Sequence, residues 1–111
     1  MSESELVSAD RMRQTARSCG WTMEELAARY LDAARKDLDE VAHALAARHL
    51  EDAGRVAHGL AGASEMAGIP GMGAVLRRLE QTARAGDLEG ALALARDAEA
   101  RLGELRRVLA R

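Results

Sequence analysis

One long amphipathic segment limits what this chain can fold into more than any other feature. Thr22 stands at its start and Glu25 follows three residues later, the pattern of a capping box at the beginning of a helix. Apolar residues then recur at spacings of three and four, on one face of an α-helix. They are Met23, Leu26, Tyr30, Ala34, Leu38, Val41 and Leu45. We predict a helix to about Ala47 that must bury this face against other elements.

Turn residues divide the rest of the chain into further helical segments. The predicted helices are residues 3–18, 22–47, 50–67, 72–86 and 88–109. Gly20 interrupts the pattern after the first, Gly68 and Pro70 close the third, and Asp87 is placed to cap the last. His49 occupies the same place in its turn as Asp87 does in the later one, so we interpret it as a turn residue.

The short links between these segments predict an all-α fold. Neighbouring helices joined by short loops run antiparallel, which gives an up-down-up-down four-helix bundle with a short additional N-terminal helix. The chain has no Phe, one Trp and one Tyr, so Leu, Ala, Val and Met must fill the core, a composition that favours helices over strands. We expect one domain over residues 1–111, with a leading helix in 1–20 and the bundle in 22–110. The helices of one chain can bury all their apolar faces against one another, so we expect a monomer.

Charge and hydropathy argue against several classes of function. The net charge is −2 and both signs are mixed along the chain, so no basic stripe indicates a nucleic-acid or membrane surface. The acidic N-terminus lacks the apolar run of a secretion signal, and the longest uncharged stretch, 66–76, is too short to span a bilayer. Cys19 is the single cysteine, which excludes an internal disulfide. We therefore expect a cytoplasmic protein.

His58 lies off the core face of the third predicted helix. On a helical wheel the core arc is formed by Leu50, Ala53, Ala57, Leu60, Ala61 and Ser64. His58 is roughly 120° from the centre of that arc, given about 100° per residue. The histidine therefore faces the boundary or the solvent, whereas Ser64 is expected to be a small buried spacer.

Three glycines surround this histidine in sequence. Gly54 and Gly62 lie one turn on either side of His58, and Gly59 is adjacent. Each costs the helix about 1 kcal/mol relative to Ala. Tight packing against a neighbouring helix explains Gly54, which borders the core arc. For the outward Gly59 and Gly62, a functional explanation competes with packing: the ring must be reachable by a bulky partner.

The segment Ala57-His-Gly-Leu-Ala-Gly-Ala-Ser64 resembles the A-H-x-L-K-G motif of histidine phosphotransfer (HPt) domains. The resemblance continues in register through Gly68, the Leu79-Glu80 pair and the turn 84–87, and covers about residues 22–109. The family's lysine three residues after the histidine is replaced by Ala61. As a stand-in for its charge we suggest Arg55, which lies one turn before His58 on the outer side.

The resemblance implies that His58 is a phosphoryl acceptor in a phosphorelay. It would take the phosphoryl group from a receiver-domain aspartate or a hybrid sensor histidine kinase and pass it to a response regulator. Gly59 and Gly62 would leave room for the receiver, and Ala61 and Glu65 would border the docking surface. The partner receiver would supply Mg²⁺, so the resemblance implies no cofactor and no independent catalytic activity for this chain.

Three other kinds of function compete with the relay. His43, His49 and His58 lack the i, i+3 or i, i+4 spacing that places two metal ligands on one helical face. No nucleophile–base pair or cofactor motif points to an enzyme in its own right. The main alternative is a non-phosphorylated HPt-like binding module that docks and regulates a receiver domain or kinase, because the motif lysine is missing.

Overall fold

A computed structural model of the chain describes residues 2–110, and all the regular structure in that range is helical. The helices are α1 (Glu3–Leu6), α2 (Ala9–Cys19), α3 (Met23–Ala46), α4 (Leu50–Ala67), α5 (Pro70–Arg84) and α6 (Leu88–Leu109). The all-α fold class that the spacing predicts is confirmed.

Helices α3 to α6 form the four-helix bundle. Helix α4 packs against α3 and α5, and α6 closes the bundle by packing against α5 and α3. Each helix contributes apolar side chains that are almost fully buried, among them Leu38, Leu60, Leu79 and Leu102. Leucine and alanine dominate this core, as the lack of phenylalanine requires.

Side-chain caps fix two helix starts at the predicted residues. The Thr22 hydroxyl accepts a hydrogen bond from the Glu25 backbone N–H at 3.0 Å, and the Glu25 carboxylate accepts one from the Thr22 N–H at 3.1 Å. The Asp87 carboxylate accepts a hydrogen bond from the Gly90 N–H at 2.9 Å. His49 occupies the equivalent position before α4 but makes no capping bond through its side chain.

The leading segment differs from the prediction, since it forms two helices rather than one. The Ser8 hydroxyl accepts a hydrogen bond from the Arg11 N–H and starts α2, while the Ser8 N–H donates to the Gly68 carbonyl at 2.8 Å. The break lets Leu6 and Met12 both become buried, each only 1 % exposed. Helix α1 thereby packs against α5 and α6, and α2 packs against α3 and α4.

The connection between α4 and α5 is tighter than predicted. Gly68 ends α4 with φ +86°, a left-handed conformation that favours glycine, and a Cβ there would lie 2.7 Å from the Met12 nitrogen. Pro70 belongs to the first turn of α5, two residues before the predicted start of that helix. The turn brings α4 and α5 into close antiparallel contact. None of the helices described is long and apolar enough to cross a bilayer.

Candidate functional site

The candidate site is centred on His58, on the outer face of α4. The neighbouring Ala57, Leu60 and Ala61 are buried, and each is at most 1 % exposed. The His58 side chain is 59 % exposed, so its ring stands at the surface where the helical wheel places it. A bulky partner can therefore reach the ring.

Helix α5 holds this ring through Glu80. The Nδ1 atom of His58 lies 3.0 and 3.1 Å from the two carboxylate oxygens of Glu80. An ionised carboxylate only accepts hydrogen bonds, so Nδ1 must carry the proton that it donates. In the neutral ring, the other nitrogen, Nε2, then has a free lone pair. The described residues form no hydrogen bond to Nε2, which leaves it open to a reaction partner.

Glu80 is ionised because charged neighbours outweigh its burial. Burial alone raises the pKa of Glu80, but the hydrogen bond and charge of His58 and the guanidinium groups of Arg84 and Arg77 lower it below its usual range. Arg84 Nη2 lies 3.3 Å from a Glu80 oxygen. The Glu80 side chain is only 12 % exposed, so these partners also compensate for its loss of solvent.

The close approach of α4 and α5 depends on Gly54. A Cβ at this position would meet the Arg84 Cγ at 3.2 Å and the Glu80 carbonyl oxygen at 3.5 Å. The expected packing role of Gly54 is therefore confirmed. It brings Glu80 within hydrogen-bonding distance of His58, which lies one turn further along α4.

A second group from α5, the guanidinium of Arg77, lies beside the ring. Its Nη1 is 3.2 Å from His58 Nδ1 and 3.4 Å from a Glu80 oxygen. Its Nη2 and Nε donate to the two oxygens of Glu65 at 2.9 and 3.2 Å. Because the Nδ1 proton is directed to the closer Glu80 carboxylate, Nδ1 does not accept a hydrogen bond from Arg77. The guanidinium instead places a positive charge next to the ring, held by two carboxylates.

Two of the residues predicted to support His58, both on α4, have other surroundings than expected. Ala61 is completely buried, so its side chain packs in the core and cannot border a docking surface. Its place in the core arc of α4 is the physical reason. Arg55 is exposed and donates to Asp52 at 3.1 Å, one turn back on the same helix. The cation that contacts His58 in the described structure is Arg77.

The other predicted positions lie on the exposed side of α4. Nothing comes within 4 Å of a Cβ built at Gly59 or Gly62, so both face open space rather than a neighbouring helix. The Glu65 side chain is 47 % exposed. One turn beyond Gly62, Met66 is 70 % exposed and adds apolar area to the same surface. Docking remains a prediction for these residues.

Ser64 forms part of the core, as predicted. Its hydroxyl donates to the Leu60 carbonyl at 2.7 Å and accepts from the Tyr30 hydroxyl at 2.6 Å. Since its one proton is directed to Leu60, the Tyr30 O–H must be the donor in the second bond. The residue thus links α4 to α3 and does not reach the His58 surface.

Sequence reasoning assigned no role to Arg77, Glu80 or Arg84. The three are spaced by three and four residues, which places them along one edge of α5 beside its apolar stripe. The signal in the sequence was this line of alternating positive and negative charges next to the buried face of α5. It did not reveal that this edge lies against His58. No cluster of His, Cys, Asp or Glu that could hold a metal ion is found among the described residues.

An exposed histidine on a four-helix bundle agrees with the resemblance of segment 57–64 to histidine phosphotransfer domains. Residues 25–110 match the Hpt domain family, and the chain belongs to that family. Its fold is similar to the crystal structure of histidine-containing phosphotransfer protein B from Pseudomonas aeruginosa PAO1, with a TM-score of 0.87. The two are 21 % identical, and the match covers 97 % of this chain and 93 % of that one. No curated protein sequence matches the chain.

Proposed function

We propose that this protein is a phosphorelay intermediate that carries a phosphoryl group on Nε2 of His58. The observation that carries the proposal is the contact between His58 Nδ1 and Glu80 at 3.0 Å, combined with the exposure of the ring. One nitrogen is occupied by the carboxylate and the other faces outward with a lone pair. A nucleophile fixed in one tautomer is what in-line attack on phosphorus requires.

The donor is the aspartyl phosphate of a receiver domain, either free or within a hybrid kinase. Nε2 attacks the phosphorus, an N–P bond forms, and the P–O bond to the aspartate breaks and returns that carboxylate. His58 keeps its Nδ1 proton, so the phosphorylated ring is positively charged until transfer onward. Glu80, directly against Nδ1, stabilises this charge. Attack by the aspartate of a second receiver reverses the bond changes.

We assign the remaining catalytic groups to the partner. Phosphoryl transfer needs position and charge neutralisation more than covalent help, and Mg²⁺ in the receiver provides most of that neutralisation. Gly59 and Gly62 leave open space on the α4 surface through which a receiver reaches the ring. We place the protein in the cytoplasm, as a monomer, where it docks one partner at a time.

A labelling experiment tests this function. The protein is incubated with a receiver domain carrying radioactive aspartyl phosphate, and the label on each chain is followed over time. Wild type should take up label that is acid-labile and alkali-stable, as expected of a phosphohistidine. The variant His58→Gln should take up none, while His43→Gln and His49→Gln, which change the other two histidines, should behave as wild type.

The outcome separates the relay from the binding module. Binding of the receiver without label on wild type would contradict the relay and favour a module that docks and regulates its partner. Label that persists in His58→Gln would contradict the assignment of the acceptor residue.

A further inference from the structure

The motif lysine of the family has no counterpart on α4. Ala61 stands in its place and is fully buried, so the helix that bears His58 offers no cation there. Arg55 contacts Asp52, and no contact between Arg55 and His58 is found among the described residues. A phosphoryl group adds about −1.5 to −2 charges at neutral pH, as in other phosphorylated side chains. A cation from another helix would stabilise that charge when no receiver is bound.

Arg77 on α5 is the cation that lies beside the ring. Its Nη1 is 3.2 Å from Nδ1 of His58, the nitrogen that does not take the phosphoryl group, and its side chain is 37 % exposed, so the guanidinium can turn towards Nε2 without leaving a buried cavity. Arginine presents several N–H donors in one plane and binds phosphate oxygens in pairs. Arg84 Nη2 lies 3.3 Å from the Glu80 oxygen that is closest to His58 Nδ1, but no contact between Arg84 and His58 is found in the described structure.

Glu65 determines where Arg77 is held before phosphorylation. Its two oxygens accept from Arg77 at 2.9 and 3.2 Å, and this hydrogen bonding lowers the pKa of Glu65. The pair is largely solvent-exposed, with side-chain exposures of 37 % and 47 %. Exposed ion pairs are screened by solvent and contribute modest stability even when, as here, two hydrogen bonds join the partners. A dianionic phosphoryl group can therefore replace Glu65 as the partner of Arg77 at low cost.

We propose that Arg77 exchanges Glu65 for the phosphoryl group on His58 and supplies, from the adjacent helix, the positive charge that Ala61 leaves out of α4. This assignment rests on the proposed phosphorelay function. It makes Arg77 a phosphoryl-binding residue and Glu65 its competitor in the unphosphorylated protein. Opposite effects on phosphohistidine are therefore expected when each is neutralised.

A chemical donor tests the assignment without any receiver. In phosphoramidate the P–N bond breaks and ammonia leaves as Nε2 of His58 forms its bond to phosphorus. The ³¹P signal assigned to His58, by its absence in His58→Gln, is then titrated with pH. A nearby cation favours the more negative form of the phosphohistidine, so the midpoint of the ³¹P titration in wild type should lie at least about half a pH unit below that in Arg77→Met.

The variants around Arg77 distinguish charge from structure. The midpoint in Arg77→Lys should be closer to that of wild type than to that of Arg77→Met. The midpoint in Glu65→Gln should lie below that of wild type, because Arg77 is released. In an Arg77→Met background, Glu65→Gln should have a smaller effect, which a double-mutant cycle measures. Arg78→Met removes the exposed arginine next in the chain and should leave the wild-type midpoint.

Equal midpoints in wild type, Arg77→Met and Arg78→Met would overturn the assignment. So would an equal shift in Arg77→Met and Arg78→Met, which would indicate a general effect of net charge. Failure of transfer from a receiver would contradict the relay, whereas this titration reports on Arg77 alone, so the two failures remain distinguishable.

Discussion

At the scale of single residues, the Glu80 carboxylate decides which nitrogen of His58 can react. It lies 3.0 Å from Nδ1 and is mostly buried, while Arg77 and Arg84 keep it ionised. A fixed proton on Nδ1 directs the lone pair of the neutral ring to the exposed Nε2. In the proposed relay, Glu80 therefore acts through His58 and positions the nucleophile without touching the transferred group.

Replacing Glu80 by Gln separates the charge of this residue from its hydrogen bonding. The amide oxygen can still accept the Nδ1 proton, but the negative charge that stabilises the phosphorylated ring is lost. A charge-assisted bond exceeds a neutral one by about 1 kcal/mol, which predicts roughly fivefold slower phosphoryl uptake. Single-turnover transfer from a phosphorylated receiver measures this rate.

Glu104→Gln on α6 is the matched control for that measurement. It makes the same chemical change on a helix that does not contribute to the site, so its uptake rate should equal that of wild type. A wild-type rate in Glu80→Gln would show that the carboxylate charge gives no help to transfer.

At the scale of elements, α4 combines a packed face and an open one. Gly54 lets α5 approach on one side, while Gly59 and Gly62 face open space on the other. Outward glycines lower the stability of a helix without improving its packing. The proposed docking of a receiver at His58 gives a reason for these two glycines, whereas contacts among the described residues give none.

Gly62→Gln tests this explanation, with Gly103→Gln as its control. Both glycines lie inside helices, and nothing comes within 4 Å of a Cβ at either position. Each substitution should stabilise the fold by about 0.5–1 kcal/mol in urea unfolding, because Gln is the better helix former. Only Gly62→Gln should slow receiver transfer, by about tenfold or more, since its side chain occupies the approach to the ring.

Equal transfer rates in the two glycine variants would contradict the role of Gly62 as docking clearance. Loss of stability in Gly62→Gln alone would point instead to an unrecognised packing role.

At the scale of the whole molecule, one buried hydrogen-bond chain ties α3 to the helix that carries His58. The Tyr30 hydroxyl donates to Ser64, which donates to the Leu60 carbonyl. Burial is the main reason that the pKa of Tyr30 rises from 10.0 to about 12, and the nearby charge of Asp37 adds to the rise. Tyr30 is therefore neutral in the folded protein wherever the fold is stable.

Because the pKa of Tyr30 is raised, the free energy of unfolding depends on pH in the alkaline range. A group whose pKa is higher in the folded state contributes stability below its unfolded value of 10.0, and that contribution is lost as pH rises through about 12. Tyr30→Phe should cost about 1–2 kcal/mol at neutral pH, because Ser64 loses a donor. Between pH 10 and 12 the gap between wild type and variant should narrow.

Urea unfolding followed by circular dichroism across this pH range measures the free energies of unfolding of wild type and of Tyr30→Phe. Ionisable groups that both proteins share cancel in the difference between the two free energies. A constant gap from neutral pH to about pH 12 would contradict the raised pKa of Tyr30.

The sequence by itself determined where α3, α4 and α6 start and end, to within one residue, and which way His58 faces. Thr22 and Asp87 cap their helices through contacts within four residues, and the apolar spacing of α4 fixes its buried side. These are local effects, so they can be read from neighbouring residues. The same spacing placed Ala61 in the core arc, and its burial excludes the docking role that the motif suggested.

Only the tertiary structure decided what surrounds His58. Arg77 and Glu80 follow it by 19 and 22 residues, on another helix, and their contacts depend on how close α5 lies to α4 and in what register. An apolar stripe specifies which face is buried, but it does not specify the rotation and axial shift of the facing helix. Those were set by Gly54 and the tight turn through Gly68 and Pro70, which bring one charged edge of α5 against the ring.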